Sequence, residues 1–148
     1  MSRMSPNFHQ VEKVKTSLLR LASDVFGKYP VLFAYLYGSY ATGLVHPFSD
    51  LDIGIYVEKM ARREYLSLEI ALSLEIDEKL GDGTESEVRI INELPLVVTG
   101  RILTEGILIF SRDEDVRVDF ETSVRGAYFD FIQVLHRHQE TFIKSIVS

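Results

Sequence analysis

The stretch VLFAYLYGSYATGLVHPFSDLDIGIYV, residues 31–57, decides how the rest of the chain is read. Its first seven residues are apolar or aromatic without a break, which is too short for a freestanding helix and suits a central strand buried on both faces. That strand stops at Gly38. In the following GSYATG, Ser39 can cap a short helix that ends before His46 and Pro47. A second strand over Leu51 to Val57 alternates with period two, so Leu51, Ile53, Ile55 and Val57 face one way and Asp50, Asp52, Gly54 and Tyr56 the other. The first set reads as core and the second as chemistry. Aspartate is a poor strand former, so two of them in this strand demand an explanation.

Working outward, Val11, Val14, Leu18, Leu21, Ala22 and Val25 recur at helical spacing up to about Gly27, behind a polar start at 1–7. Downstream, residues 61–80 are richly apolar and helical in length, and GDG at 81–83 ends them. A strand is expected at about 85–91, a helix at 94–104, and a short strand at ILIF, residues 107–110. From about Glu114 a helix runs to the end, with Val124, Tyr128, Phe131, Leu135, His138, Phe142 and Ile146 in steps of three and four. So long a helix overhangs its own domain. The expected architecture is α/β (α+β): a small mixed sheet of about four strands with flanking helices, plus a long C-terminal helix. The core is assigned to residues 1–112, and the helix at 113–148 is either part of the same domain or a partner-docking tail.

At 148 residues the chain suits one domain, and 46% apolar with 26% charged residues is ordinary for a globular protein. A net charge of −6 argues against a protein whose main task is gripping nucleic acid, so no direct nucleic-acid binding is expected. With no cysteine, disulfides, thiolate metal sites and a cysteine nucleophile are excluded. The start lacks the apolar core of a signal peptide, and no apolar run approaches the roughly 20 residues a membrane span needs. A cytoplasmic protein with no membrane partner is the expectation.

The chemistry concentrates in Gly38-Ser39 and, ten residues further on, Asp50-Leu51-Asp52. Carboxylates at i and i+2 on a strand point the same way and together can hold magnesium, which takes one or two carboxylates along with phosphate oxygens and water. Gly38 permits backbone close to a phosphate, and Ser39 offers it hydrogen bonds, with Gly43 serving the same turn. Ser49 is placed to meet the phosphates or steady Asp50, and Gly54 leaves space where a side chain would crowd a ligand. Such identities at fixed spacing arise by chance in roughly a few chains per thousand. Otherwise the glycine is a turn, the serine a cap and the aspartates a solvated edge. The histidines form no ligand set: His9 is near one end, His136 and His138 point different ways on one helix, and His46 is a loop residue.

Gly38-Ser39 with Asp50 and Asp52 resembles the signature of the polymerase-beta-type nucleotidyltransferases, and specifically the minimal nucleotidyltransferase (MNT, MntA-like) antitoxin group. The strand carrying Glu87 and the tail residues Arg117, Phe120, Glu121, Tyr128 and Asp130 extend the likeness over nearly the whole chain. The resemblance implies the nucleotidyltransferase fold, ATP as substrate, and Mg2+, two ions, held by Asp50, Asp52 and a third acid. Glu87 is the best match for that acid, where the family usually has aspartate, with Glu85 next. Thr42 stands where many relatives carry a phosphate-binding arginine, and Arg62, Arg63 or Arg89 are candidates to compensate.

The resemblance further implies an antitoxin that pairs with a HEPN ribonuclease toxin and adenylylates a tyrosine hydroxyl on it, with the apolar stripe of the C-terminal helix as docking surface. The alternatives are a catalytically weak antitoxin acting by binding alone and an aminoglycoside-type, small-molecule nucleotidyltransferase. RNA end addition is disfavoured by the acidic balance.

Overall fold

A computed structural model of the chain describes residues 8–43, 50–81 and 83–147. Ser49, His46 and the polar start at 1–7 lie outside the described residues. The elements in chain order are helix α1 (Phe8–Phe26), strand β1 (Val31–Tyr37), the one-turn helix α2 (Ser39–Thr42), strand β2 (Leu51–Val57), helix α3 (Tyr65–Leu80), strand β3 (Ser86–Ile90), helix α4 (Leu96–Glu105), strand β4 (Ile107–Ser111) and helix α5 (Glu114–Val147). They follow the expected order within a residue or two, except at the start of α3. There Ala61 is extended and a 3-10 turn at Arg62–Glu64 comes first, so the α-helix begins four residues later than expected.

The four strands form one mixed sheet in the order β3-β2-β1-β4. β1 pairs antiparallel with both β2 and β4, and β2 runs parallel to β3. β1 lies in the middle, which is why its seven residues are all aliphatic or aromatic. Period two in β2 sends Leu51, Ile53, Ile55 and Val57 into a core with Leu18, Val25 and Phe26 of α1 and Leu72 and Ile76 of α3. Fully burying one such side chain contributes about 1.5–3 kcal/mol.

The opposite face of the sheet is not given over to chemistry along its whole length. Phe33, Tyr35 and Ile91 form a second core with Ile102 and Leu103 of α4, closed by Val116, Phe120 and Val124 of α5. Tyr56, on the same face of β2 as Asp52, stacks on Phe33 at 4.7 Å between centroids and meets Phe120 at 5.0 Å. The first turns of α5 therefore seal the C-terminal end of β2, and the carboxylate end stays open.

The edge strand β3 is protected by α3. Glu69, Ser73 and Asp77, one helical turn apart, accept hydrogen bonds from the backbone amides of Ile90, Val88 and Ser86 at 2.8, 3.3 and 2.8 Å. These would otherwise be open ladder positions inviting another strand. Asn92 does the same at the far end, bonding both backbone groups of Val57 at 2.9 and 2.8 Å. From Phe129 to Ile146 every described side chain of α5 except Ile132 is exposed, a projection of about 27 Å at 1.5 Å per residue.

Candidate active site

Gly38 ends β1 with φ 71° and ψ −154°, a conformation that side chains on L-residues rarely adopt. Its position is crowded as well: a Cβ built there would lie 2.3 Å from Asp52 Oδ2. Glycine is thus required both by the backbone and by the carboxylate pressed against it. The turn is closed by Gly43, whose N–H donates to the Ser39 carbonyl at 2.8 Å. Thr42 does not look outward from this turn. Its hydroxyl donates back to the carbonyls of Gly38 and Ser39, both at 3.4 Å, so nothing in its side chain replaces an arginine toward phosphate.

Sheet register assembles the rest. Tyr37 is paired with Asp52, and Asp52 with Glu87; one step along, Gly54 is paired with Tyr35 and Arg89. Asp52 is half-buried, and its carboxyl is pushed up to about 6, first by desolvation and then by the negative charges of Glu87 and Asp50, with Arg89 opposing. Glu87 is exposed beside it. Of the two candidate third acids, Glu87 is the register partner of Asp52, while Glu85 precedes β3 and gives its carbonyl to the amide of Leu51 at 2.9 Å. Among the described residues no group of three His, Cys, Asp or Glu side chains is gathered closely enough to hold a metal ion by itself.

Gly54 does not leave open space for a ligand, contrary to the expectation from its place in the strand. A Cβ there would meet Ile91 Cγ2 at 2.9 Å and Tyr37 Cε1 at 3.5 Å, so the tyrosine ring already occupies that surface. Tyr37 has its hydroxyl pushed up, chiefly by burial and then by the charge of Asp52, with Arg89, hydrogen-bonded to it, pulling the other way. Of the arginines considered as phosphate partners, Arg89 is the one beside Asp52. Arg62 pairs with Glu93 at 2.5 Å beyond the opposite ends of β2 and β3, about 17 Å from Asp52 at 3.3 Å per strand residue. Arg63 is exposed in the same 3-10 turn.

The tail residues Arg117 and Glu121 tie α5 to the sheet. Tyr35 Oη donates to Glu121 Oε1 at 2.6 Å, and Arg117 donates to the other carboxylate oxygen at 3.0 Å. Burial and this bond together raise the tyrosine far above its ordinary range.

Two cavities flank the carboxylates. One, of about 350 Å3, lies between Tyr37 and Gly38 on one side and Val97, Arg101, Ile102 and Glu105 of α4 on the other. The second, of about 410 Å3, runs between α3 and β3 past Glu87 and Arg89 and is edged by the exposed Leu66, Ile70 and Leu74. Tyr37, Arg101 and Glu105 were not visible as site residues in the sequence. Tyr37 could have been suspected from strand parity with Asp52, whereas the approach of α4 to Gly38 leaves no local signal.

The sequence profile of the polymerase beta nucleotidyltransferase family matches residues 22–115. No curated protein matches the chain in sequence. Among solved structures, the chain is similar to one in a toxin-antitoxin complex crystallised with AMP-PNP, at 15% identity and a TM-score of 0.58, over 88% of this chain and 98% of that one. It is similar to a chain of the toxin-antitoxin MntA-HepT at 12% identity and a TM-score of 0.55, over 90% and 99%. A third similar chain comes from the complex of tri-AMPylated Shewanella oneidensis HEPN toxin with MNT antitoxin, at 14% identity and a TM-score of 0.51, over 93% and 99%. At such identities the likeness is one of fold.

Proposed function

Since this chain belongs to the polymerase beta nucleotidyltransferase family, we propose that it transfers AMP from ATP to a tyrosine hydroxyl of a HEPN-type ribonuclease toxin and is the antitoxin of that pair. The observation that carries the reading is the half-buried Asp52, seated against Gly38 with Glu87 and Asp50 as its charged neighbours. A half-buried carboxylate whose proton affinity is raised by burial and by two neighbouring carboxylates forms with them a donor set suited to a hard divalent cation, whose charge would relieve the repulsion on Asp52. Asp50, Asp52 and Glu87 would hold magnesium. With no three acids among the described residues converging tightly on their own, substrate oxygens would complete the coordination.

Bound there, two magnesium ions would supply charge stabilisation at the reacting phosphate and ease ionisation of the acceptor hydroxyl. The chain's own residues do the rest. Gly38 lets the triphosphate approach the backbone, the Ser39 hydroxyl donates to a phosphate oxygen, and Ser49 meets the phosphates or steadies Asp50. The acceptor oxygen attacks the α-phosphorus, the bond to pyrophosphate breaks, and Glu87 takes the acceptor's proton. Arg89, beside Asp52, is the cation placed to offset charge on the phosphates.

The identity of the acceptor is supported by the folds this chain shares, those of toxin-antitoxin complexes of which one contains AMP-PNP and another a tri-AMPylated toxin. An acceptor of that size brings its own binding surface. A ribonuclease target places the action in the cytoplasm. The competing reading, an antitoxin that neutralises by contact alone, is favoured by Thr42 being turned back on its own turn.

Mass spectrometry of the toxin co-expressed with this protein, with and without Asp52→Asn, separates the two. Added AMP units that vanish with Asp52→Asn support transfer. An unmodified toxin in a stable complex establishes neutralisation by contact instead.

A further inference from the structure

We infer that Tyr37 is a positioning residue for the transfer reaction: its ring crosses β2 over Gly54, and its hydroxyl oxygen holds the Arg89 guanidinium beside Asp52 and away from Glu87. The inference rests on the nucleotidyl-transfer reading and adds to it a residue that acts on the site through another.

Three neighbouring strands build the arrangement. Tyr37 ends β1, Gly54 lies on β2 and Arg89 on β3; Gly54 is paired with Arg89, and Asp52 with both Tyr37 and Glu87. A β-carbon on Gly54 would stand 3.5 and 3.7 Å from Cε1 and Cδ1 of Tyr37, so the ring lies along the strip of β2 that the glycine leaves bare. A side chain longer than a methyl group at position 54 would run into it. From there the phenol meets Arg89, which is hydrogen-bonded to it and acts on Asp52 through its charge. Tyr37 lines the cavity beside Gly38 and Arg89 the cavity past Glu87, so their contact spans the ground between the two.

Strand geometry shows what the tyrosine prevents. Glu87 and Arg89 stand two apart on β3 and share a face, where an untethered guanidinium would turn back onto the carboxylate. Among the described residues no ion pair joins them. Such a pair would take from Glu87 the charge a cation needs and the lone pair that accepts the acceptor's proton. A phenol suits the restraint because it is uncharged: the guanidinium donates one hydrogen bond to it and keeps its charge and remaining donors for phosphate.

The test is steady-state AMP transfer to the purified, unmodified toxin by wild type, Tyr37→Phe, Arg89→Ala and the double variant, with AMP-PNP binding followed by calorimetry in magnesium. Phenylalanine keeps the ring over Gly54 and the packing there. In Tyr37→Phe kcat should fall about tenfold or more while KM for ATP stays within about twofold. A loose arginine still attracts a triphosphate, and only its placement on charge that develops during transfer is lost. In the Arg89→Ala background the same substitution should change nothing further.

Undiminished kcat in Tyr37→Phe overturns the inference. So does an equal fall in both backgrounds, which would give the tyrosine a role that does not run through Arg89, and so does a rise in KM alone, which would place the pair in ground-state binding. A wild-type chain that neither binds AMP-PNP nor modifies the toxin refutes the nucleotidyl-transfer reading itself, a result reached before any variant is compared.

Discussion

Asp52 Oδ2 occupies the space into which any side chain on residue 38 would have to grow, 2.3 Å from where a β-carbon at Gly38 would stand. The contact couples the end of β1 to the middle of the carboxylate row. Gly38→Ala therefore meets two penalties at once, a left-handed φ of 71° and a collision with the Asp52 carboxylate. A non-glycine residue held at this positive φ with extended ψ costs about 1–3 kcal/mol. Displacing Asp52 by the ångström or so needed to relieve the clash should lower transfer about a hundredfold. Denaturant melts and the rate of AMP transfer, measured on the same preparation, check both halves. A variant with lower stability and undiminished transfer would show that Asp52 need not rest against Gly38.

Asp52→Asn separates catalysis from stability in the opposite sense. The carboxyl is raised from 3.8 to about 6 in the folded protein, so the folded state binds its proton more tightly than the unfolded chain does. Its favourable contribution is then fully present below pH about 4 and is lost as pH rises through about 6. At pH 8 the charge destabilises the fold, by about 1 kcal/mol after discounting for the solvent that reaches a half-buried group. The asparagine variant should be more stable than wild type at pH 8, indistinguishable at pH 4, and inactive throughout. Urea melts at the two pH values test the sign.

Magnesium should reverse the same repulsion. Added at millimolar concentration it should raise the melting temperature of wild type at pH 8 and lose that effect at pH 5, where Asp52 holds its proton. EDTA should return the pH 8 value to that of the metal-free chain. Equal stabilisation of Asp52→Asn by magnesium would place the cation elsewhere.

How much of this was legible in the sequence depends on the range of the interaction. β2 could be read from seven residues because its inner face is apolar at every second position, and a one-residue slip would bury Asp52. β1 was legible because all seven of its residues are aliphatic or aromatic, as a strand paired on both sides requires. Period two also put Glu85, Glu87 and Arg89 on one face, but only the parallel register that sets Glu87 beside Asp52 distinguishes the two acids. The ring of Tyr37 across Gly54 could not be read, since the glycine signals only that something comes close and not what it is. Arg101 and Glu105 look like any solvated i,i+4 pair until the chain returns through α4 to Gly38.

Tyr35→Phe should loosen α5 without touching the carboxylates. The hydroxyl donates to Glu121 at 2.6 Å, and its removal leaves the glutamate with Arg117 alone. Loss of a part-buried hydrogen bond to a charged group costs about 1.5–3 kcal/mol. Stability should drop by that amount, and amide exchange in the first four turns of α5 should quicken while ATP binding persists. Unchanged exchange would mean that Phe120, packed on Phe33 and Tyr56, holds the helix by itself.

Truncation after Tyr128 addresses the exposed half of α5. Up to Val124 the helix contributes side chains to the second core, whereas Phe129, Phe131, Leu135, Ile143 and Ile146 are 37–66% exposed and belong to neither core. Apolar surface at three- and four-residue steps on a projecting helix is suited to a groove or helix on another protein. Removing residues 129–148 should leave the melting temperature within a few degrees and AMP-PNP binding intact, because neither core nor cleft includes those residues. Co-purification with the toxin should fall at least tenfold, the effect of deleting several aromatic and aliphatic anchors at once. Retained complex formation would move the docking surface off α5, and the exposed Leu66, Ile70 and Leu74 beside Glu87 would become the face to substitute next.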